Sequence, residues 1–149
     1  MSIEGPEIYP GEEATPRQLV QLAAEWQRAA GLLWDARRRR APLSLAPYRF
    51  VAIHAVELYL NAFLQAKGHA PKVVRGMQHN LAARTALAAE AGLKLRPKTR
   101  AHLKTMTGSR EHLIARYGPE QIATASQLNR VGATLNEIAR EVEMAVSRA

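Results

Sequence analysis

The segment from Pro47 to Gly68 is apolar at almost every position and carries the strongest hydrophobic pattern in the chain. Proline suits the first turn of a helix, where its missing N–H costs no hydrogen bond. Glycine suits the position just after the last turn, where the backbone often becomes left-handed. A helix that is apolar around most of its circumference is buried on several sides. The pattern therefore predicts that this segment is the central helix of a bundle.

A row of polar residues interrupts this apolar segment. Glu57, Asn61 and Gln65 recur every four residues, so they lie along one side of the predicted helix. A buried carboxylate in such a helix needs a cationic or hydrogen-bonding partner. The candidate partners elsewhere in the chain are His79, Arg84, Arg110 and Arg116. We interpret Glu57 either as half of a structural buried pair or as part of a site that faces a phosphate or a base.

Periodicity and capping residues predict four more helices. Thr15 suits the N-cap of a first helix, which ends in the basic residues 37–40. After an irregular stretch that includes residues 71–77, Asn80 suits the N-cap of a short helix that ends at Gly92. Pro97 opens a fourth helix, which we expect to be kinked or broken near residues 108–109, with Leu103, Met106, Leu113 and Tyr117 pointing inward.

The last predicted helix begins near Thr124 and continues to the end of the chain. Its apolar residues recur at alternating intervals of three and four, which is typical of a helix that packs along one side. They are Leu128, Val131, Leu135, Ile138, Val142 and Ala145. We expect Glu137 and the neighbouring charged residues on its solvent face. Five helices with short links predict an all-α fold, an antiparallel up-and-down bundle.

The length and composition predict one domain. The chain has 149 residues, of which 47% are hydrophobic, enough for one core. Residues 1–14 are rich in glycine, proline and glutamate, so we expect a flexible arm there. Residues 15–149 then form a single helical-bundle domain.

Several kinds of site lack their sequence signature. The chain has no cysteine, which excludes disulfides and thiolate metal sites. His79, His102 and His112 are not in a His-Glu-x-x-His spacing, and no glycine-rich phosphate loop occurs, so we predict no metal and no cofactor. Without an apolar run of about 20 residues or a secretory signal pattern, we expect no membrane span and a cytoplasmic location.

Charge is unevenly distributed along the chain. Residues 1–15 contain four glutamates and no basic residue, whereas residues 72–118 contain ten basic and two acidic residues. Such a basic segment suits a phosphate, a nucleic acid or an acidic protein, or it only keeps the surface soluble. A second basic cluster, which either contacts a nucleic-acid backbone or only ends the first helix, consists of Arg37, Arg38, Arg39 and Arg40.

Four short stretches carry a resemblance to a known family. They are the apolar helix with Glu57 and Leu58, then Gly68, then His79-Asn80-Leu81, and finally Arg116-Tyr117 before the last helix. In this order and spacing, over roughly residues 16–147, the chain resembles the HEPN family of small helical domains. The resemblance implies an up-and-down bundle that forms a homodimer. It also implies relatives that act on RNA or pair with a nucleotidyltransferase in toxin–antitoxin systems.

The nuclease members of that family carry an arginine, four to six residues and a histidine at the start of the last long helix. This chain has no histidine after His112, so that motif is missing. Arg49 and His54 have such a spacing, but they lie on the central helix, where residues five apart diverge around the helix axis. They are the only catalytic candidates we name from the sequence, and a hydrogen-bonded core histidine is the alternative for His54.

We therefore predict a non-catalytic HEPN-like domain, a homodimeric binding module for RNA, a nucleotide or a protein partner. Its candidate ligand-binding residues are Glu57, His79, Arg110 and Arg116. Two alternatives stay open. One is a metal-independent ribonuclease toxin of the HEPN type, and the other is a purely structural partner subunit of a nucleotidyltransferase-type pair.

Overall fold

All regular secondary structure in the computed structural model, which describes residues 8–148, is helical. The seven α-helices of this range are α1 (Pro16–Asp35), α2 (Ala46–Ala66), α3 (Pro71–Gly76), α4 (Leu81–Glu90), α5 (Pro97–Gly108), α6 (Glu111–Tyr117) and α7 (Leu128–Ser147). Two 3₁₀ helices, Pro42–Leu45 and Pro119–Thr124, precede α2 and α7. The predicted all-α class is therefore confirmed for the described residues.

Helix α2 is the centre of the fold, as its apolar pattern predicts. Eleven of its 21 residues are buried, and it contacts α1, α3, α4, α6 and α7. Tyr59, Leu60, Phe63 and Leu64 are each at most 1% exposed, and burying one such apolar side chain contributes about 1.5–3 kcal/mol. The helix ends as expected, because Gly68 takes a φ of 95° and lets the chain turn back.

The two other long helices pack their apolar sides on α2. Thr15 and Gln18 cap the start of α1 reciprocally, each side chain accepting the other's backbone N–H. In α7 the residues predicted to face the core are buried at Val131, Leu135, Ile138 and Val142. Two details differ from the sequence prediction. Helix α7 begins at Leu128 because a 3₁₀ helix occupies residues 119–124, and Glu137 is buried rather than solvent-facing.

The described residues form seven α-helices where five were predicted, and the additional ones, α3 and α6, lie in the middle of the chain. Residues 71–76, predicted to be irregular, form α3, which begins at a proline. The break predicted near residues 108–109 is present: α5 ends at Gly108, and Arg110, with a left-handed φ of 56°, separates it from α6. The periodicity of α5 therefore does not continue into α6. Leu103 and Met106 are buried as predicted, but Leu113 and Tyr117 are 37% and 67% exposed.

The basic residues after α1 form a connecting loop. Helix α1 ends at Asp35, so residues 37–40 follow its last turn instead of forming it. Within residues 8–148, no helix combines the length and the apolar character that crossing a membrane requires.

Candidate functional site

The polar row of α2 faces an open groove. Glu57, Asn61 and Gln65 line a cavity of about 850 Å³ that is bounded by α1, α2, α3 and residues 9–12. Leu19, Leu22, Leu58 and Val74 supply apolar walls, and Arg75, His79 and Arg84 supply polar ones. The regular spacing of four residues thus places three hydrogen-bonding side chains along one wall of a space large enough for a small ligand.

Glu57 is paired with His79. The Nδ1 atom of His79 lies 3.1 Å from Oε1 of Glu57, and Nδ1 of His54 lies 3.9 Å from Oε2. Asn80 places His79 by capping α4, since its side chain accepts the N–H of Ala83 at 2.9 Å. The Glu57 side chain is 13% exposed and that of His79 is 54% exposed. The imidazole of His79 is therefore accessible from solvent.

A third histidine joins this pair from α6. The rings of His79 and His112 have their centroids 4.9 Å apart. Together, His54, Glu57, His79 and His112 form what we call the histidine cluster. Arg110 and Arg116 come from the same short segment as His112 and are exposed at the surface. The guanidinium of Arg116 lies 5.4 Å from the ring of Phe50, which stacks at 6.3 Å on His54.

The environment keeps two of these imidazoles neutral at pH 7. Burial lowers the pKa of His54, and the Glu57 carboxylate opposes this shift. Burial also lowers the pKa of His112, followed by the charge of His79 and, in smaller measure, those of Arg116 and Arg110. A neutral imidazole has one nitrogen that donates and one that accepts, so each of these two rings can form hydrogen bonds of both kinds.

Arg84, a further candidate partner of Glu57, makes its hydrogen bonds to other groups. Arg84 is 2% exposed. Its guanidinium donates to Asn61 Oδ1 at 2.7 Å and to the carbonyls of Val74 and Asn80 at 3.3 Å. Arg84 thus ties α4 to α2 and α3. Burial lowers the pKa of Arg84, and the negative charge of Glu57 opposes the shift.

The structure does not bring Arg49 and His54 into one site. His54 packs edge-on against Trp26 with a centroid distance of 4.4 Å. Arg49 is buried and donates to the carbonyl of Ser126. It belongs to a second group of polar side chains, which we call the closed network and which consists of Arg49, Thr99, His102, Glu111, Ser126, Arg130, Thr134 and Glu137.

The closed network joins α5, α6 and α7. Both carboxylate oxygens of Glu111 accept from Ser126, one from its N–H at 2.7 Å and one from its hydroxyl at 2.9 Å. The imidazole of His102 lies between the hydroxyls of Thr134, at 2.7 Å, and Ser126, at 2.9 Å. Both oxygens of Glu137 accept as well, from the N–H of Arg96 at 2.7 Å and from Thr99 at 2.8 Å.

The arginines after α1 form a separate basic surface. The guanidinium of Arg37 lies 4.2 Å from the ring centroid of Trp34 and donates to the Trp34 carbonyl at 2.9 Å. All four, Arg37, Arg38, Arg39 and Arg40, are exposed. Among the described residues none of the four is in an ion pair. They can therefore contact an anionic surface without first giving up a carboxylate.

Two features of the site were missed from the sequence. His112 was considered only as a metal ligand, although it lies two residues after Arg110 and four before Arg116, which places it beside Arg116 on a helix. Arg75, which borders the groove, carried no signal beyond its charge. In the described part of the chain, no group of three or more histidine or acidic side chains is arranged to hold a metal ion.

Comparison with protein-family models, with curated proteins and with solved structures finds no match to this chain.

Proposed function

We propose that this chain is a HEPN-like helical domain that acts as a non-catalytic RNA-binding module, with RNA phosphates bound at the histidine cluster. The order of elements supports the HEPN-like arrangement: α2 contains Glu57 and Leu58, Gly68 ends its last turn, His79-Asn80-Leu81 opens α4, and Arg116-Tyr117 ends α6 before α7. The homodimer that the resemblance implies remains a prediction, which sedimentation of the purified protein would measure.

One observation carries the proposal: the imidazoles of His79 and His112 lie 4.9 Å apart beside two exposed arginines, next to an open groove. Imidazole N–H groups and guanidinium forks are the donors that phosphate oxygens accept from in protein–RNA contacts. Arg116 lies near the rings of Phe50 and Tyr117 and donates to the Tyr117 hydroxyl at 2.6 Å, and among the described residues it forms no ion pair. Its charge is therefore available to a ligand.

The charge of the surrounding segment supports an RNA ligand over a neutral one. Residues 72–118, which contain α3 to α6, hold ten basic and two acidic residues. One of the two acidic residues, Glu111, is buried at 1% exposure within the closed network. Because the basic Arg84 is buried as well, at 2% exposure, nine basic residues and one acidic residue remain outside the core in this segment. This excess of positive charge attracts a polyanion over distances of about 8–10 Å at physiological salt.

A binding titration tests this proposal. A fluorescently labelled single-stranded RNA is titrated with the protein between 50 and 300 mM salt, and the affinity is expected to fall with salt. Arg110→Ala and Arg116→Ala are each expected to weaken binding about 3- to 10-fold and to reduce the salt slope by about 0.7, the value for one single-strand phosphate contact. The matched control is Arg28→Ala, which removes an exposed arginine from α1 that pairs only with Glu25.

Two results would contradict the proposal. One is the absence of RNA binding at 50 mM salt by the full chain. The other is an equal loss of affinity in the Arg28→Ala control, which would mean that any surface charge contributes and that no site exists.

A metal-independent ribonuclease is a second candidate function, favoured by the contact between His79 and His112. A carboxylate that holds one nitrogen of a histidine sets its tautomer and orientation, as Glu57 does for His79. In such an enzyme one imidazole removes the proton of a ribose 2′-hydroxyl, whose oxygen attacks the adjacent phosphorus. The second imidazole protonates the 5′-oxygen as its bond to phosphorus breaks, and an arginine stabilises the charge of the pentavalent phosphate.

Incubation of the protein with RNA in EDTA separates the two functions. A ribonuclease leaves 2′,3′-cyclic phosphate ends, and His79→Ala and His112→Ala would each slow cleavage about 10²- to 10⁴-fold, the range for loss of a general acid or base. His54→Ala is the comparison variant, because its ring packs edge-on against Trp26, stacks on Phe50 and is less exposed than His79. RNA that is bound but stays intact would leave the binding module as the function.

A further inference from the structure

The groove has an unusual fourth wall. This wall consists of residues 9–12 of the N-terminal arm. These residues form a tight turn, in which the N–H of Glu12 donates to the carbonyl of Tyr9 at 2.9 Å. The same groove is lined by Glu57, His79 and Arg84. The arm therefore lies over the same groove that the accessible imidazole of the histidine cluster borders.

One arginine holds the arm in this position. Nη1 of Arg75, at the end of α3, donates to Oε2 of Glu12 at 2.8 Å. The ring of Tyr9 lies over the same guanidinium, with Cζ of Arg75 4.1 Å from the ring centroid. Arg75 thus binds a carboxylate with one edge of its guanidinium and an aromatic face with its plane.

A nucleotide offers an arginine the same two partners. Its phosphate oxygens accept from the guanidinium edge, and its base stacks on the guanidinium plane, which is a common contact in the recognition of single-stranded RNA. In the arm, the Glu12 carboxylate contacts Arg75 as a phosphate would, and the Tyr9 ring contacts it as a base would. The charges agree with this comparison, since residues 1–15 contain four glutamates and no basic residue, whereas residues 72–118 carry a net charge of +8.

Resting on the proposed RNA-binding function, we infer that Arg75 is a further RNA-binding residue and that the acidic arm is a tethered competitor for it. The ion pair is weak enough to exchange, because the Arg75 and Glu12 side chains are 35% and 41% exposed and such pairs are screened by salt. A tether keeps the arm at a high effective concentration near its site. An RNA strand must therefore replace the arm before it contacts Arg75.

A double-mutant cycle in the full chain tests this inference by RNA titration at 100 mM salt. Glu12→Gln removes the competing charge and is expected to tighten RNA binding about 3- to 10-fold, while Arg75→Ala is expected to weaken it by a similar factor and to lower the salt slope by about 0.7. The double variant should bind like Arg75→Ala alone, because the arm acts through Arg75. Glu25→Gln and Arg28→Ala, from the exposed pair on α1, are the matched charge controls.

Amide hydrogen exchange gives a second readout. RNA is expected to speed the exchange of the Glu12 N–H, which the arm's turn protects. An exchange that slows on RNA binding would overturn the inference, since the arm would then be part of the bound state. So would Glu25→Gln tightening binding as much as Glu12→Gln.

The failure of the inference and the failure of the proposed function give different results. If Arg116→Ala weakens RNA binding but Glu12→Gln and Arg75→Ala leave it within twofold, the arm and Arg75 have no such role and the RNA site stands. If no variant binds RNA, Glu12→Gln included, both are wrong.

Discussion

The histidine cluster and the closed network both contain glutamate and histidine side chains, and their glutamates differ in how many hydrogen bonds they accept. In the closed network each oxygen of Glu111 accepts a hydrogen bond, and the carboxylate is 1% exposed. In the histidine cluster Glu57 contacts one imidazole at 3.1 Å and a second only at 3.9 Å, and His79 is open to solvent. A satisfied, buried group stabilises the fold, whereas a partly satisfied, exposed group keeps capacity for a ligand.

The largest expected effect is on stability, in the closed network. Glu111→Gln places an NH₂ group where an acceptor is needed, opposite a donor of Ser126, inside a nearly water-free site. We expect it to lower the free energy of unfolding by about 3 kcal/mol, in the range for a disrupted buried charge network. Urea unfolding measures this loss.

The matched substitution in the histidine cluster is Glu57→Gln. Because Glu57 is less buried and its amide replacement still reaches His79, we expect a loss of at most about 1 kcal/mol. Equal losses of unfolding free energy in Glu111→Gln and Glu57→Gln would show that the two carboxylates contribute equally to the stability of the fold.

The pH dependence of stability comes next in size. Burial, together with the charges of Arg130 and Arg49, lowers the pKa of His102 to about 4. The unfolded chain takes up the proton near pH 6.5 and the folded chain only near pH 4, so stability is full above pH 6.5 and is lost as the pH falls between these values. At about 1.4 kcal/mol per pH unit, the loss between pH 6.5 and pH 4.5 amounts to about 2–3 kcal/mol.

The variant that isolates this effect is His102→Asn. It is less stable than the natural chain at pH 7, because His102 lies between two hydroxyls, and it should lose less stability on acidification. Urea unfolding at pH 7, 5.5 and 4.5 measures both chains. If the free energy of unfolding falls equally with pH in the two chains, His102 is excluded as the titrating group.

The smallest expected effect is a pH dependence of RNA binding, which we expect from protonation of the histidine cluster. Because burial lowers the pKa of His54 and of His112, both gain charge only below the usual range for histidine. RNA binding should therefore strengthen about 3- to 5-fold between pH 7.5 and pH 5.5, with up to about 1 kcal/mol of added phosphate attraction.

His112→Gln should reduce this gain, while His102→Asn should leave it unchanged as long as the fold is intact at the lower pH. Titrations of labelled RNA at the two pH values measure it. An affinity that does not change with pH in the natural chain would contradict the participation of these imidazoles.

The sequence predicted the elements of this fold better than their contacts. The central position of α2 follows from its apolar circumference, and the cap at Asn80 follows from local chemistry. His79 was among the partners predicted for Glu57, because a carboxylate in an apolar helix needs a cationic or hydrogen-bonding partner and the chain offers few. Each of these features depends on residues that are close in the chain or on one strong pattern.

The closed network could not be predicted in the same way. Its hydrogen bonds join residues 15 to 77 positions apart, such as Glu111 with Ser126 and Arg49 with Ser126. The charge of Glu137 indicated a solvent-facing position, and only the packing of α5 on α7 shows where its acceptors are used. The entry of His112 into the histidine cluster depends in turn on the break between α5 and α6, whose direction no local signal gives.

The break between α5 and α6 places a strained backbone conformation at Arg110. Arg110 has the left-handed backbone that glycine adopts freely and an arginine adopts at a cost of about 1 kcal/mol or more. A chain optimised for its melting temperature alone would carry glycine there and would lose a cation beside His112. Arg110→Gly is therefore expected to raise the melting temperature, because glycine adopts this backbone conformation without strain.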